Sequence, residues 1–380
     1  MTFDYSKFND IRPYLDDEIP AVMKRLATNS LLISTARMIV FPSCPVWLKG
    51  VVDFFLKRFF SYILNKIKTV QEFQVRIIGN LFMKWVINKS TNGVTSAGME
   101  YLSKDKAYIF ISNHRDIALD SALIDYVLHH AGYGIPYIAF GDNLLMNDLV
   151  SDLIKVNKSF TVKRDLPPRE QFKALMHLSE YINRIHQNGE HFWIAQKEGR
   201  AKDGIDITNP AIVKMFHLSE RKQQPDFAAF IKSLNIVPVA ISYEKDPCDR
   251  IKAWELYRKN KKGEHKKKKN EDLISIAAGI TGNKGRIHIN FSPPLEADFN
   301  NEKQVALALD KAIHSHYKLW PGNYIAYDET YETDKYSTQY TETEKANYLA
   351  QYQNLKQEVR HVLLKTHANP VLSFESLKDT

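Results

Sequence analysis

The decapeptide Ile111-Ser112-Asn113-His114-Arg115-Asp116-Ile117-Ala118-Leu119-Asp120 closes an apolar run with a histidine followed by two carboxylates. An imidazole presented where a strand gives way to a helix can accept the proton of an attacking hydroxyl. A carboxylate behind it fixes the ring tautomer and stabilises the imidazolium that forms. Asp116 and Asp120 both lie within two turns of the expected helix start, so either can fill that place. No serine or cysteine stands in a nucleophile motif, which fits direct attack by a bound hydroxyl without a covalent enzyme intermediate. His129-His130 has no Cys or Asp partner at ligand spacing, so these residues read as a helix end and no metal is expected. Cys44 and Cys248, the two cysteines, make neither a disulfide framework nor a metal motif and fit a reducing, cytosol-facing compartment.

The elements that must position His114 begin after the turn-like Ser90-Thr91-Asn92-Gly93. Short apolar runs follow at Ala107–Ser112, Tyr137–Phe140, Phe160–Val162, His191–Ala195, Ile236–Ser242 and Arg286–Phe291. Helical periodicity falls between several of them, as at Ser121–His130 and Arg169–Gln187. Strands alternating with helices predict an α/β fold: a mixed, largely parallel sheet flanked by helices. By composition the chain divides into a helical segment (1–92), the α/β domain (93–327) and a polar, then helical, tail (328–380).

The first segment is rich in aromatics. From Val51 to Lys68, Asp53, Lys57, Ser61, Asn65 and Lys68 form one polar helical stripe, which Arg58 and Lys66 widen. The rest of that surface carries Phe54, Phe55, Leu56, Phe59, Phe60, Tyr62, Ile63 and Leu64. Such a helix either packs on the α/β domain or lies in a lipid headgroup region, basic face outward. A second helix is expected over about Gln71–Ile87. The stretch Leu26–Leu48 is interrupted by Arg37, Pro42 and Pro45, so a bilayer span is not expected. The polar start (MTFDYSKFND) does not read as a cleavable signal peptide.

The formal net charge of +8 is concentrated in residues 258–269 (RKNKKGEHKKKK), where eight Lys or Arg face only Glu264. Such a run is a solvated loop or an attachment point for anionic lipid. Nucleic acid is the competing polyanion. Neither zinc-finger spacing nor an RNP-like aromatic motif supports it, and no nucleic-acid partner is expected.

Four blocks in order give the chain a resemblance to the glycerolipid acyltransferases, the family of glycerol-3-phosphate and lysophosphatidate acyltransferases. They are Asn113-His114; Phe160-Thr161-Val162-Lys163-Arg164; Glu198-Gly199-Arg200 with Asp203-Gly204; and Ile236-Val237-Pro238-Val239-Ala240-Ile241-Ser242. The resemblance covers roughly Val94 to Tyr327. The family spaces its His and Asp by four residues, whereas five separate His114 from Asp120. A loop entering a helix can absorb one residue, so Asp120 is the preferred partner and Asp116 the alternative.

The resemblance implies that His114 activates a glycerophosphate hydroxyl against the thioester of acyl-CoA or acyl-carrier protein, with no cofactor. Arg164 and Arg200 would grip the acceptor phosphate through their planar forks. Glu198, Gly199, Asn113 and Arg115 complete the implied substrate-binding set. The implied place is the cytoplasmic face of a membrane, held peripherally or monotopically. The implied acceptor is glycerol 3-phosphate or a lysophospholipid such as 1-acylglycerol 3-phosphate.

Overall fold

The computed structural model describes residues 4–145, 147–263 and 271–378. Among the described residues there are seven strands: β1 (Val94–Ala97), β2 (Ile109–Ser112), β3 (Tyr137–Gly141), β4 (Ser159–Val162), β5 (Phe192–Ala195), β6 (Ile236–Tyr243) and β7 (Ile287–Phe291). Six of them fall on the apolar runs. The polar Val94-Thr95-Ser96-Ala97, with its two central residues exposed, also forms a strand, beside β7.

Packing gathers the chain into two compact units, residues 1–82 with 135–181 and residues 83–134 with 182–380. Neither is contiguous in sequence, so the three-part division read from composition describes chain order and not packing.

In the larger unit the strands run in the order β1, β7, β6, β2, β5. Every pairing is parallel except β6 with β7. All four residues of β2 and all eight of β6 are buried. A strand buried on both faces needs a continuous apolar run, and these have one. The tail helices Glu342–Ala350 and Gln357–Glu375 belong to this unit. Tyr352, Val359 and Leu363 share a buried cluster with Ala253 of the helix Asp249–Lys262.

In the other unit β3 and β4 pair in parallel. Its core is built by Ile19, Val22, Met23, Leu26, Leu64, Phe73, Leu149 and Val156. The stretch around Leu26–Leu48 is two helices, Ile19–Thr28 and Ser30–Val40, separated where the Asn29 side chain accepts from the amides of Leu31 and Leu32. That capping fixes the break, since the first turn of a helix has no partners of its own for these N–H groups. The aromatic helix spans Lys49–Leu64 and buries Leu64 alone. Trp47 is 78% exposed, Phe55 65% and Tyr62 65%, so little of this face packs inside the unit. Among the described residues no helix is long and apolar enough to cross a membrane.

Candidate active site

Strand β2 ends at Ser112, and the next residue is pinned. The Asn113 amide donates to the Ile241 carbonyl at 3.0 Å and accepts from the Ile241 N–H at 2.8 Å. Asn113 thus stitches the end of β2 to β6 and is fully buried. The sequence places it with the substrate groups; the structure gives its amide to the sheet.

His114 follows at the mouth of the loop. Its Nδ1 lies 2.8 Å from Asp120 Oδ2, and its side chain is 14% exposed. The same Oδ2 accepts the backbone N–H of Arg115 at 2.6 Å and of Asp116 at 2.9 Å, while Oδ1 accepts the Tyr243 hydroxyl at 2.8 Å. A carboxyl facing that many donors is an acceptor throughout, so Nδ1 carries the hydrogen and donates it. The other ring nitrogen is left with its lone pair. The edge of Trp193 flanks the ring, with centroids 6.0 Å apart.

Asp116 faces elsewhere. Its Oδ1 accepts the N–H groups of Ala118 and Leu119 at 3.0 and 2.9 Å, capping the helix Leu119–His130. Its other side meets Gly279 so closely that a Cβ there would lie 2.1 Å from Oδ2. Burial and the neighbouring Asp120 push the Asp116 carboxyl up. The extra residue between His114 and Asp120 is therefore taken up in the capped loop 115–118, and Asp116 is not the histidine's partner.

Arg115 departs from its implied role as well. It is buried, ion-paired to Asp206, bonded to the carbonyls of Ala201 and Gly204, and stacked over Tyr317 at 5.3 Å. Burial pushes the Asp206 carboxyl up, against the pull of Arg115. The arginine ties the loop behind His114 to the segment after β5. Arg115→Ala is expected to cost about 3–5 kcal/mol in urea unfolding, because it strands a buried carboxylate. The double variant Arg115→Met/Asp206→Leu should recover much of that loss; a single-variant loss under about 1 kcal/mol would mean that the pair is dispensable.

Lys252 is a second support that spacing does not reveal. Its buried ammonium donates to the Arg115 carbonyl at 2.8 Å and pairs with Asp246. Burial would raise Asp246, but Lys252 brings its carboxyl below the ordinary range. Spacing does not point to Tyr243 either, one residue beyond the block that ends at Ser242. Only the register of β6 against its neighbours could place its hydroxyl on Asp120.

The remaining implied residues divide between the units. Arg164 belongs to the smaller one, where its Nη1 donates to Asn143 at 3.3 Å and its backbone N–H to Asp142 at 3.2 Å. Gly141 makes room for it, since a Cβ there would stand 2.6 Å from the guanidinium carbon. In the larger unit Glu198 and Gly199 are exposed at the loop after β5. Gly199 has φ +72° and open space where a Cβ would be, so backbone conformation and not close approach calls for glycine. Arg200 lines a cavity of about 220 Å³ with Trp254, Arg258 and the carboxylates Glu255, Glu271 and Asp272, and its Nη1 is buried without a partner. Among the described residues no cluster of His, Cys, Asp or Glu could hold a metal ion.

Residues 93–242, which carry this constellation, match the family model described as Acyltransferase. The chain is 24% identical over 237 residues to the glycerol-3-phosphate acyltransferase of Histophilus somni (strain 129Pt), covering 61% of this chain and 28% of that protein. It is 24% identical over 303 residues to the dihydroxyacetone phosphate acyltransferase of Bos taurus, covering 78% of this chain and 38% of that one. The chain thus spans well under half the length of these curated relatives. Among solved structures, the 1-acyl-sn-glycerophosphate (LPA) acyltransferase PlsC of Thermotoga maritima aligns with a TM-score of 0.38 and 16% identity, over 78% of this chain and 93% of that one. The constellation around His114 thus lies in the part of the chain that matches the Acyltransferase model, and the chain is similar to glycerol-3-phosphate and dihydroxyacetone phosphate acyltransferases.

Proposed function

We propose that this chain transfers a fatty acyl group from acyl-CoA or acyl-carrier protein to the hydroxyl of a glycerophosphate, in phospholipid synthesis. The observation that carries the reading is the His114–Asp120 pair at the end of β2, with Nδ1 committed to Asp120 and the second ring nitrogen unengaged. A thioester is already activated, so the residues need only activate the alcohol and hold it. The free ring nitrogen takes the hydroxyl proton as the alcohol oxygen bonds to the thioester carbon. The imidazolium then returns that proton to the sulfur as the C–S bond breaks.

A phosphate-bearing acceptor is supported by the buried, unpartnered Nη1 of Arg200, although the cavity that Arg200 lines with Arg258 also carries the carboxylates of Glu255, Glu271 and Asp272. Guanidinium groups match phosphate oxygens in pairs. The relatives' names add dihydroxyacetone phosphate to glycerol 3-phosphate as an acceptor to try. The test is transfer from radiolabelled acyl-CoA and acyl-carrier protein to glycerol 3-phosphate, dihydroxyacetone phosphate and 1-acylglycerol 3-phosphate in parallel. Acylation of at least one, and not of unphosphorylated glycerol, is the expected result; no transfer to any of them sinks the reading.

The proposal includes attachment to the cytosol-facing surface of a membrane by the aromatic helix Lys49–Leu64 and the turn before it. Exposed there are Val46, Trp47, Phe54, Phe55, Phe59 and Tyr62, beside the exposed Lys57, Arg58 and Lys66. Monomeric proteins seldom leave so much contiguous apolar area in water. Arg37 and Asp53, bonded at 2.7 Å, join this helix to Ser30–Val40, which exposes Met38 and Val40 as well. Of the basic run 258–269 read as a second attachment element, residues 258–262 end the helix Asp249–Lys262, and residues 264–269 lie outside the described residues.

Replacing Phe55 and Phe59 with Ser is expected to weaken vesicle co-sedimentation at every salt concentration, because area removed from water is not screened. A double variant that sediments like wild type would mean that this face does not meet lipid.

A further inference from the structure

Asp120 has two oxygens with different company. Oδ2 holds the His114 ring and the two backbone N–H groups of the loop. Oδ1 accepts the hydroxyl of Tyr243 at 2.8 Å, its one partner among the described residues, and both residues are buried. Tyr243 closes β6, whose register against β7 pairs it with Ile287, so the ring is carried by the sheet and not by a loop.

We propose that Tyr243 is a positioning residue that holds down the proton affinity of His114 by taking up part of the charge of Asp120. The inference rests on reading His114 as the base. A base working near neutrality must be neutral when the alcohol arrives. A buried carboxylate beside an imidazole opposes that, since it favours the imidazolium. Each hydrogen bond donated to the carboxylate spreads its charge and weakens the effect. The two amides do so and also aim the carboxylate. Tyr243 does so from the far oxygen, Oδ1, which does not itself bond the ring. Burial and the charge of Asp120 push the Tyr243 phenol well above its usual range, so it stays a donor.

Other charged groups face the pair from each element packed on it, and each has its own counter-charge or donor. Arg115 is paired with Asp206, and Lys252, on the helix Asp249–Lys262, with Asp246. Asp116 is engaged by the helix amides it caps, and Tyr317, after the helix Glu302–His316, lies under Arg115. Tyr243 is therefore the group on Asp120 that can be removed without changing the number of charges around the site.

The test is Tyr243→Phe in the full chain, read in two ways. The first is a carbon-13 NMR titration of the His114 imidazole, assigned by comparison with His114→Ala. The second is the acid limb of kcat/KM for acyl transfer. The titration midpoint and the acid limb should both move to higher pH. On that limb the variant should fall about 3- to 10-fold further below wild type than it does on the plateau. Tyrosine fluorinated at the 3 position, introduced at residue 243, is a stronger donor and should move both to lower pH, which a merely structural role would not do. It also provides the answer if the Phe variant does not fold. Curves that stay in place, or that move in the same direction for both variants, overturn the proposal. The titration needs no turnover, so an inactive wild-type protein whose His114 still shifts would sink acyl transfer and leave the coupling standing.

Discussion

His114→Ala should lower acyl transfer by about 10²–10⁴-fold, the span that a positioned general base supplies. The protein should stay folded. The imidazole is bonded to Asp120 through one nitrogen and contributes no other side-chain hydrogen bond among the described residues. When it is gone, Asp120 keeps the N–H groups of Arg115 and Asp116 and the Tyr243 hydroxyl, so no buried charge is stranded. That retention separates this variant from Arg115→Ala, which should be unstable before it is inactive. The measurement is the initial rate at saturating thioester and acceptor, with thermal melting as the control for folding. A folded variant within about tenfold of wild type would remove His114 from the chemistry and leave the thioester's own reactivity and substrate positioning as the source of rate.

How far the site could be read from the chain depended on the range of each contact. The runs that became β2, β5 and β6 are apolar because both faces of those strands are buried, and that pattern is local. Asn113-His114 stands out for a similar reason, since it sits where such a run stops. What spacing could not supply was direction. Asn113, His114, Arg115 and Asp116 are adjacent, yet their side chains leave toward β6, Asp120, Asp206 and the helix amides respectively. Two of those partners lie far along the chain. Adjacency to the histidine therefore does not reveal that Asn113 and Arg115 also hold the scaffold together. The same limit hid Tyr243 and Lys252, whose hydroxyl and ammonium reach the loop only after the sheet and the helix Asp249–Lys262 have formed. Capping was readable in principle: Asp116 two and three residues before the amides it accepts is a common helix-start pattern. A carboxylate near a histidine equally suits a proton-transfer partner, and spacing alone does not separate the two roles.

Asp120→Asn should lower transfer by about 10²–10³-fold, less than the roughly 10⁴-fold seen where an Asn inverts the histidine tautomer in a serine protease triad. The difference follows from what surrounds Oδ2. Two backbone N–H groups point at it and cannot turn away. An Asn at 120 must place its carbonyl oxygen there, because the amide NH₂ would meet both donors head on. The carbonyl then still accepts from Nδ1, and the ring keeps its tautomer. The NH₂ faces Tyr243, whose hydroxyl can rotate to accept. What is lost is the charge that stabilises the imidazolium as the proton arrives, along with some stability from weaker neutral hydrogen bonds. Asp116→Asn should behave differently. Asn caps a helix about as well as Asp does, and it replaces a buried carboxylate that burial and Asp120 already disfavour. Its rate should stay within about threefold of wild type and its stability should be equal or higher. Initial rates and urea midpoints for the two variants, measured side by side, decide the matter. If Asp116→Asn proves the more damaging, the working form of the loop pairs His114 with Asp116, and Asp120 serves the fold alone.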